Sequence, residues 1–349
     1  MKRREFIAAL AAVGNARSAW PASNAGKTSS GICTFSCNLQ WQAVRSQEGQ
    51  SAFRDALSFY EYARLLGAEG VQTSFRDLDS ASLKSLRTMS DRDGTYLEGD
   101  LRLPKSPAEL DEFELEVRST RETGATVARA TLMRGRRYET FRTIEEFQDF
   151  HRRVQARLEL VEPILAKHGL KLAIENHKDL TLDEQFSLLK TISSEWIGAL
   201  VDTGNNLALL DDPYRVIEML APFALSVHLK DMAMQPDTEG FLLSEVRCGT
   251  GFLDLPRMIT ILRNANPKIV FNLEMATRDP LKIPCLTDRY WSTFPDRKAT
   301  HLDAALALVK QHPITETPPS IAGKPLEVQL AEEEANNRAS LSWMHMHIA

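Results

Sequence analysis

The chain has 349 residues, 43% apolar and 26% charged, with a net charge of -5. That length suits one large domain or two small ones. The acidic balance lacks the basic patch that a nucleic-acid partner favours, and no run of 18 or more apolar residues is present to span a membrane.

The N-terminal segment reads differently from the rest. Lys2, Arg3 and Arg4 precede a short apolar stretch from Phe6 to Val13, and Ser23-Asn24-Ala25 offers a small-x-small cleavage site. This layout predicts a secretory signal over residues 1–25. The Arg3-Arg4 pair before Glu5-Phe6-Ile7 resembles a twin-arginine signal. The mature protein is then expected to be exported, to a periplasm, with no integral membrane segment left. The alternative is a cytoplasmic protein whose first residues form a basic, frayed helix.

From residue 31 onward strands and helices alternate. Strands are predicted over 31–37, 70–75, 96–103, 125–133, 171–177, 198–205, 224–231 and 269–275. Between them lie amphipathic helices over 51–68, 80–94, 106–124, 143–169, 181–192, 212–222 and 253–266, and a last one over 300–312. Ser106-Pro107 is a cap and first-turn pair. Thr143 with Glu146, and Thr181 with Glu184, have capping-box spacing. Near-continuous apolar strands fit burial on both faces of a parallel sheet. Eight strand-helix repeats point to a single (β/α)8 TIM barrel of the α/β class over 31–312. A doubly wound sheet would carry a Gly-rich turn after its first strand, and CTFSCNLQ has none. A long loop over 276–299 follows the eighth strand, and 313–349 forms a C-terminal extension expected to pack on the barrel.

Four cysteines are present: Cys33, Cys37, Cys248 and Cys285. On a regular strand the Cα atoms of Cys33 and Cys37 would lie about 13 Å apart, beyond the roughly 7 Å that a disulfide spans. Buried, inert thiols are the expectation.

Barrel active sites sit at the C-terminal ends of the strands. Glu175, Asp202, His228 and Glu274 fall at or near the ends of the fifth to eighth strands, which neighbour one another around half the barrel. Three carboxylates and an imidazole on one arc repel unless a cation lies between them. This oxygen-rich set predicts one divalent metal, Mn2+ first, with Mg2+, Co2+ or Zn2+ as the other choices. Singly, each residue has a plainer reading: Asp202-Thr203-Gly204 as a turn, His228 as a hydrogen-bonded structural group, Glu274 as a partner of Arg278.

The motifs AIENH (173–177), VDTGN (201–205), VHLKD (227–231) and NLEM (272–275), in this order, resemble the xylose isomerase-like barrels, including the sugar phosphate isomerase/epimerase family. The resemblance covers roughly 31–275 and is strongest from 171. It implies Glu175, Asp202, His228 and Glu274 as ligands of one metal, with Glu175 and Glu274 also acting as acid and base on opposite faces of a substrate carbon. Lys230 would point to the same face as His228 and hold a developing oxyanion, unless it is a surface lysine. His177 would contact a substrate hydroxyl, or else donate to Asp202 or a backbone carbonyl. Arg129 would face the pocket or form a salt bridge on the barrel floor. The ketose 3-epimerases carry a histidine three residues after the aspartate; here that position is Asn205, a candidate substrate contact. A second glutamate after the first and an arginine after the histidine motif are also missing. The metal shell therefore matches, and the hexose-binding shell does not. The apurinic-site endonucleases of the same fold use extra histidines on early strands that this chain lacks.

The expected function is a metal-dependent isomerase or epimerase that abstracts a proton α to a carbonyl of a non-phosphorylated sugar or cyclitol. One alternative is a lyase or hydrolase of 3-keto-glycosides at the same metal site. Another is a metal-bearing sugar-binding protein without turnover. Gly249-Thr250-Gly251 could cradle a phosphate or form a plain turn. Homo-oligomerisation is left open.

Overall fold

The computed structural model describes residues 29–47, 51–314 and 317–348, so the predicted signal over 1–25 lies outside the described residues. The barrel is closed and parallel. Its strands are β1 (Ser30–Cys33), β2 (Gly70–Thr73), β3 (Tyr96–Asp100), β4 (Val127–Ala130), β5 (Lys171–Glu175), β6 (Ile197–Asp202), β7 (Ala224–Leu229) and, after an inserted hairpin of β8 (Asp231–Asp237) and β9 (Gly240–Val246), β10 (Phe271–Leu273). They neighbour one another in chain order around the ring, and β10 pairs with β1 to close it. This is the (β/α)8 barrel expected from the alternation. A short β11 (Leu281–Ile283) joins the hairpin as a third antiparallel strand.

The helices follow from caps and apolar faces. They are α1 (Asn38–Ser46), α2 (Ala56–Leu66), α3 (Ser80–Asp93), α4 (Leu110–Glu122), the short α5 (Arg137–Thr140), α6 (Ile144–His168), α7 (Leu182–Ile192), α8 (Pro213–Leu220), α9 (Leu255–Ala265), the short α10 (Asp288–Trp291), α11 (Lys298–Gln311) and α12 (Leu326–Ile348). Asp55 starts α2 with a full capping box to Ser58, and Thr181 starts α7 with one to Glu184. At α6 only half of the expected box forms. Thr143 accepts from Glu146 N at 3.3 Å, but the Glu146 carboxylate turns to Arg142 N at 2.7 Å. Ser106 makes no side-chain cap, and a 3-10 turn over Pro107–Glu109 leads into α4 instead.

The first strand is shorter than its sequence suggests. It stops at Cys33, and Thr34–Cys37 is a 3-10 turn. All four cysteines are free and buried, as expected, although the extended spacing assumed for Cys33 and Cys37 does not hold. The hairpin over 231–246 was not foreseen. Its signal is the cluster Pro236-Asp237-Thr238-Glu239-Gly240 between two apolar-containing runs. Gly240 sits at φ 150, and a Cβ there would meet Ile283 O at 2.2 Å, so the turn tucks tightly under β11.

Two elements shape the barrel end where the strands finish. In the 276–299 segment, Tyr290 donates to Ala208 O at 2.8 Å and the buried Arg137 donates to Thr293 Oγ1 at 3.1 Å. This segment thus lies across the loops that follow β4 and β6. Helix α12 packs against β1 and β10, the two strands that close the barrel. No helix among the described residues is long and apolar enough to cross a membrane.

Candidate active site

Glu175 ends β5, Asp202 ends β6, His228 lies next to last in β7 and Glu274 immediately follows β10. Each projects inward at the same end of the barrel because the strands are parallel and their register is shared. Asp202 pairs across the sheet with His228, and His228 with Asn272. All four side chains are buried, and one ligand atom from each lies within 4.8 Å of the others. His228 Nδ1 stands 3.3 Å from Glu274 Oε1, 3.8 Å from Glu175 Oε1 and 3.9 Å from Asp202 Oδ2.

The outer contacts aim these atoms. His228 Nε2 lies 2.7 Å from Gln72 Oε1. Gln72 in turn donates from Nε2 to Glu98 Oε2 at 2.8 Å, which fixes its amide orientation. A carbonyl oxygen facing Nε2 makes that nitrogen the N–H donor, so Nδ1 presents its lone pair to the carboxylates when the ring is neutral. Glu98 also accepts from Ser226 Oγ at 2.7 Å and Asn272 Nδ2 at 2.9 Å, forming a polar floor inside the barrel. Burial pushes the Glu98 carboxyl up, and these three donors oppose the shift.

Asp202 divides its labour. Oδ1 accepts from Gly204 N at 2.9 Å and Asn205 N at 2.7 Å, which is the turn role read from the sequence. Oδ2 faces the other ligands, 2.9 Å from Lys230 Nζ in an ion pair without hydrogen-bond geometry. Asn176 holds the β5 and β6 ends together, accepting from Asp202 N at 2.7 Å and donating to Asp202 O at 2.8 Å.

The charges are strongly mutual. Burial raises the Glu274 carboxyl, but Lys230 and His228 outweigh it and hold it well below the carboxylate range. Glu175 is lowered to about 2, where His228 and Arg129 overcome burial and Glu274. Asp202 is pushed up to about 7 by burial, with Glu274 and Glu175 adding to it against Lys230. The imidazole of His228 is held well above its usual value by the carboxylates, against burial. Two buried atoms here, His228 Nδ1 and Asp202 Oδ2, have no hydrogen-bond partner. Such orphans in a cluster of three carboxylates fit a cation placed among them. The donor set, oxygen-rich with one imidazole, suits a divalent metal.

The remaining sequence candidates lie around this cluster. Lys230, fully buried rather than on the surface, also pairs with Glu274 and donates to Asn205 Oδ1 at 3.1 Å. Asn205 Nδ2 donates to Glu175 Oε1 at 3.0 Å. Arg129 bridges Glu175 Oε2 at 3.1 Å and Asp100 Oδ2 at 3.0 Å. His177 is lowered to about 3 by burial and then by Lys178, and its Nδ1 is buried without a partner. Arg278 pairs not with Glu274 but with Glu245 on β9, its Nε 3.0 Å from Glu245 Oε2. Gly249 N and Gly251 N both donate to Asp231 Oδ2 at 2.9 Å, so the protein's own carboxylate fills that loop, and the turn reading holds there.

Three neighbours escaped the sequence reading: Lys178, Glu245 and Cys33. Lys178 adjoins the ENH run and is buried. Glu245 belongs to the unforeseen hairpin. The Cys33 thiol lies within 4.8 Å of ligand atoms on His228 and Glu274. Its position at the end of β1 is the signal that could have placed it there.

Comparison with known proteins agrees with the architecture. Residues 110 in length align at 30% identity with 3-oxo-isoapionate decarboxylase of Pectobacterium atrosepticum, spanning 31% of this chain and 40% of that enzyme. The fold is similar to D-psicose 3-epimerase from Clostridium cellulolyticum H10 (TM-score 0.59, 10% identity, 92% of this chain and 99% of that one). It is also similar to 3-keto-D-glucoside 4-epimerase of E. coli (TM-score 0.53, 14% identity, 82% and 100%). The family model described as the xylose isomerase-like TIM barrel matches residues 60–300, well over half the chain and all the strand ends described above except that of β1. The chain therefore belongs to the xylose isomerase-like TIM barrel family.

Proposed function

We propose that the protein is a metal-dependent isomerase or epimerase that moves a proton α to a carbonyl of a non-phosphorylated sugar or cyclitol. The observation that carries this reading is the convergence of Glu175, Asp202, His228 and Glu274, with two orphaned atoms aimed inward. A divalent cation held by these four, Mn2+ by preference over Mg2+, Co2+ or Zn2+, would polarise the carbonyl and offset charge on its oxygen. Glu175 and Glu274 end or follow strands three steps apart around the ring, so they can address two faces of one substrate carbon. One takes the proton and the other returns one. Lys230, held by Asp202, Glu274 and Asn205, is a preorganised donor for the developing oxyanion. His177, half-buried and held neutral, can hydrogen-bond a hydroxyl. Arg129 keeps Glu175 ionised and oriented. The loop at 249–251 is filled by Asp231, which argues against a phosphate there. Export through the twin-arginine signal fits the same substrate class, and a reporter fused to residues 1–30 that stays in the cytosol would overturn it.

A second reading keeps the first step and ends in bond cleavage beside the carbonyl, as in a lyase of 3-keto-glycosides. The names of two similar proteins, 3-keto-D-glucoside 4-epimerase and 3-oxo-isoapionate decarboxylase, support a keto group on the substrate. The deciding experiment is solvent-deuterium exchange into ketoses and 3-keto-glycosides by the Mn2+-supplemented protein. Exchange without a freed aglycone supports the first reading, and aglycone release supports the second. Absence of both, with metal bound, would leave only a sugar-binding role.

A further inference from the structure

Among the described residues, the buried basic side chains are Arg137, Lys178, His228 and Lys230. Arg137 is paired with Glu184, His228 faces three carboxylates, and Lys230 is paired with Asp202 and Glu274. Lys178 has no carboxylate within the 4.0 Å of an ion pair. Its ammonium group donates to Asn205 Oδ1, the same oxygen that receives Lys230 Nζ at 3.1 Å. Two ammonium groups thus converge on one amide oxygen at the edge of the carboxylate cluster. The nearby Arg278 adds positive field, and of the two acids that oppose it, Glu245 is paired with Arg278 and Asp202 with Lys230. The direction of the Lys178 shift agrees with this crowding: burial, Lys230 and Arg278 push it down to about 8.

An ammonium group buried without a counter-ion is costly to keep. A packed core would replace it with an apolar chain of the same length. Its retention beside Lys230 makes sense when an anion arrives between them. Asn205 also donates to Glu175, so this point adjoins the carboxylate cluster itself, and an anion that settles there belongs to the substrate. A carboxylate matches two convergent N–H donors of this kind.

We propose that the substrate is a keto sugar acid, with its carboxylate seated on Lys178 and Lys230 while its carbonyl faces the metal-ligand cluster. This rests on the proton-transfer reading for the placement of the carbonyl, but the seat can be tested without turnover. The probes are D-gluconate against D-glucitol and D-xylonate against xylitol, each pair differing by a carboxylate for a hydroxymethyl group. Binding is measured by titration calorimetry on the full chain, at constant ionic strength, with and without Mn2+. The acid of at least one pair should bind at least tenfold more tightly than its polyol. In Lys178→Met that preference should fall below twofold, with an unchanged circular dichroism spectrum and an equal or higher Tm. Lys178→Gln repeats the comparison if the Met variant does not fold. Equal binding of acid and polyol in both pairs, or a preference that survives both substitutions, would overturn the proposal. Deuterium exchange into neutral ketoses alongside equal binding would leave the proton-transfer reading intact and remove only the acid. Preference for the acids without exchange into any ketose or keto acid would do the reverse.

Discussion

Gln72 decides which nitrogen of His228 meets the carboxylates. Its own amide is pinned by Glu98, so Nε2 keeps its N–H, and Nδ1 is the nitrogen that presents a lone pair once a cation displaces its proton. Gln72→Leu should weaken divalent-metal binding by about 10- to 100-fold, read by competition with a chromophoric chelator, while His228→Ala should abolish stoichiometric metal in plasma mass spectrometry. Metal retained at one equivalent in His228→Ala would show that the four residues are not one site. Asp179 gives a different test. It is fully buried, its Oδ2 has no partner, and burial pushes its carboxyl up to about 7 from 3.8. Between about pH 4 and pH 7 the unfolded chain releases this proton and the folded chain keeps it. Stability is then complete below the lower value and falls as the pH rises. The loss is on the order of 2–4 kcal/mol. Asp179→Asn should match the wild type near pH 4 and exceed it at pH 8 in urea unfolding; parallel pH profiles would contradict this. The four carboxylate and imidazole positions were legible from the sequence because each closes an apolar run. Lys178 was not, since a lysine at a strand end usually reaches solvent, and only the overlying loops and hairpin bury it.

The helix α12 acts on the site through short links. Glu333 accepts from Leu39 N at 2.7 Å and Gln40 N at 3.1 Å, supplying from another helix the cap that Cys37 cannot give α1. Burial pushes its carboxyl up to about 8, against the pull of the two backbone donors. Asn337 Nδ2 donates to Ser36 O at 2.8 Å. Ser36 Oγ donates to Leu273 O and accepts from Met275 N, both at 2.8 Å, gripping the backbone on either side of Glu274. Glu333→Ala should cost about 1–2 kcal/mol, measured by denaturant unfolding, with Glu333→Gln recovering part of it. A change within 0.3 kcal/mol, roughly the scatter of such measurements, would show that water replaces the cap. The strand and helix alternation was readable element by element, because buried parallel strands and capped helices carry local signals. The β8–β9 hairpin was hidden because its strands mix polar and apolar residues and sit outside the repeat. The early end of β1 was hidden because a 3-10 turn of Thr, Phe, Ser and Cys looks like a continuing strand.

For the molecule as a whole, a ligand that binds only the folded state must stabilise it. Mn2+ at 100 times its dissociation constant should add about 2.7 kcal/mol, seen as a rise of several degrees in Tm that a chelator reverses. No shift at saturating metal, in a protein that is fully folded, would count against the cluster as a cation site. The closed ring also has a consequence for synthesis. Strand β1 is the earliest barrel strand to emerge from the ribosome, yet it packs against α12, which follows every barrel strand in the chain. A nascent chain therefore carries its first strand without this covering helix until residues 326–348 have been made. Proteases and chaperones have their opening during that interval, and it closes only when α12 docks.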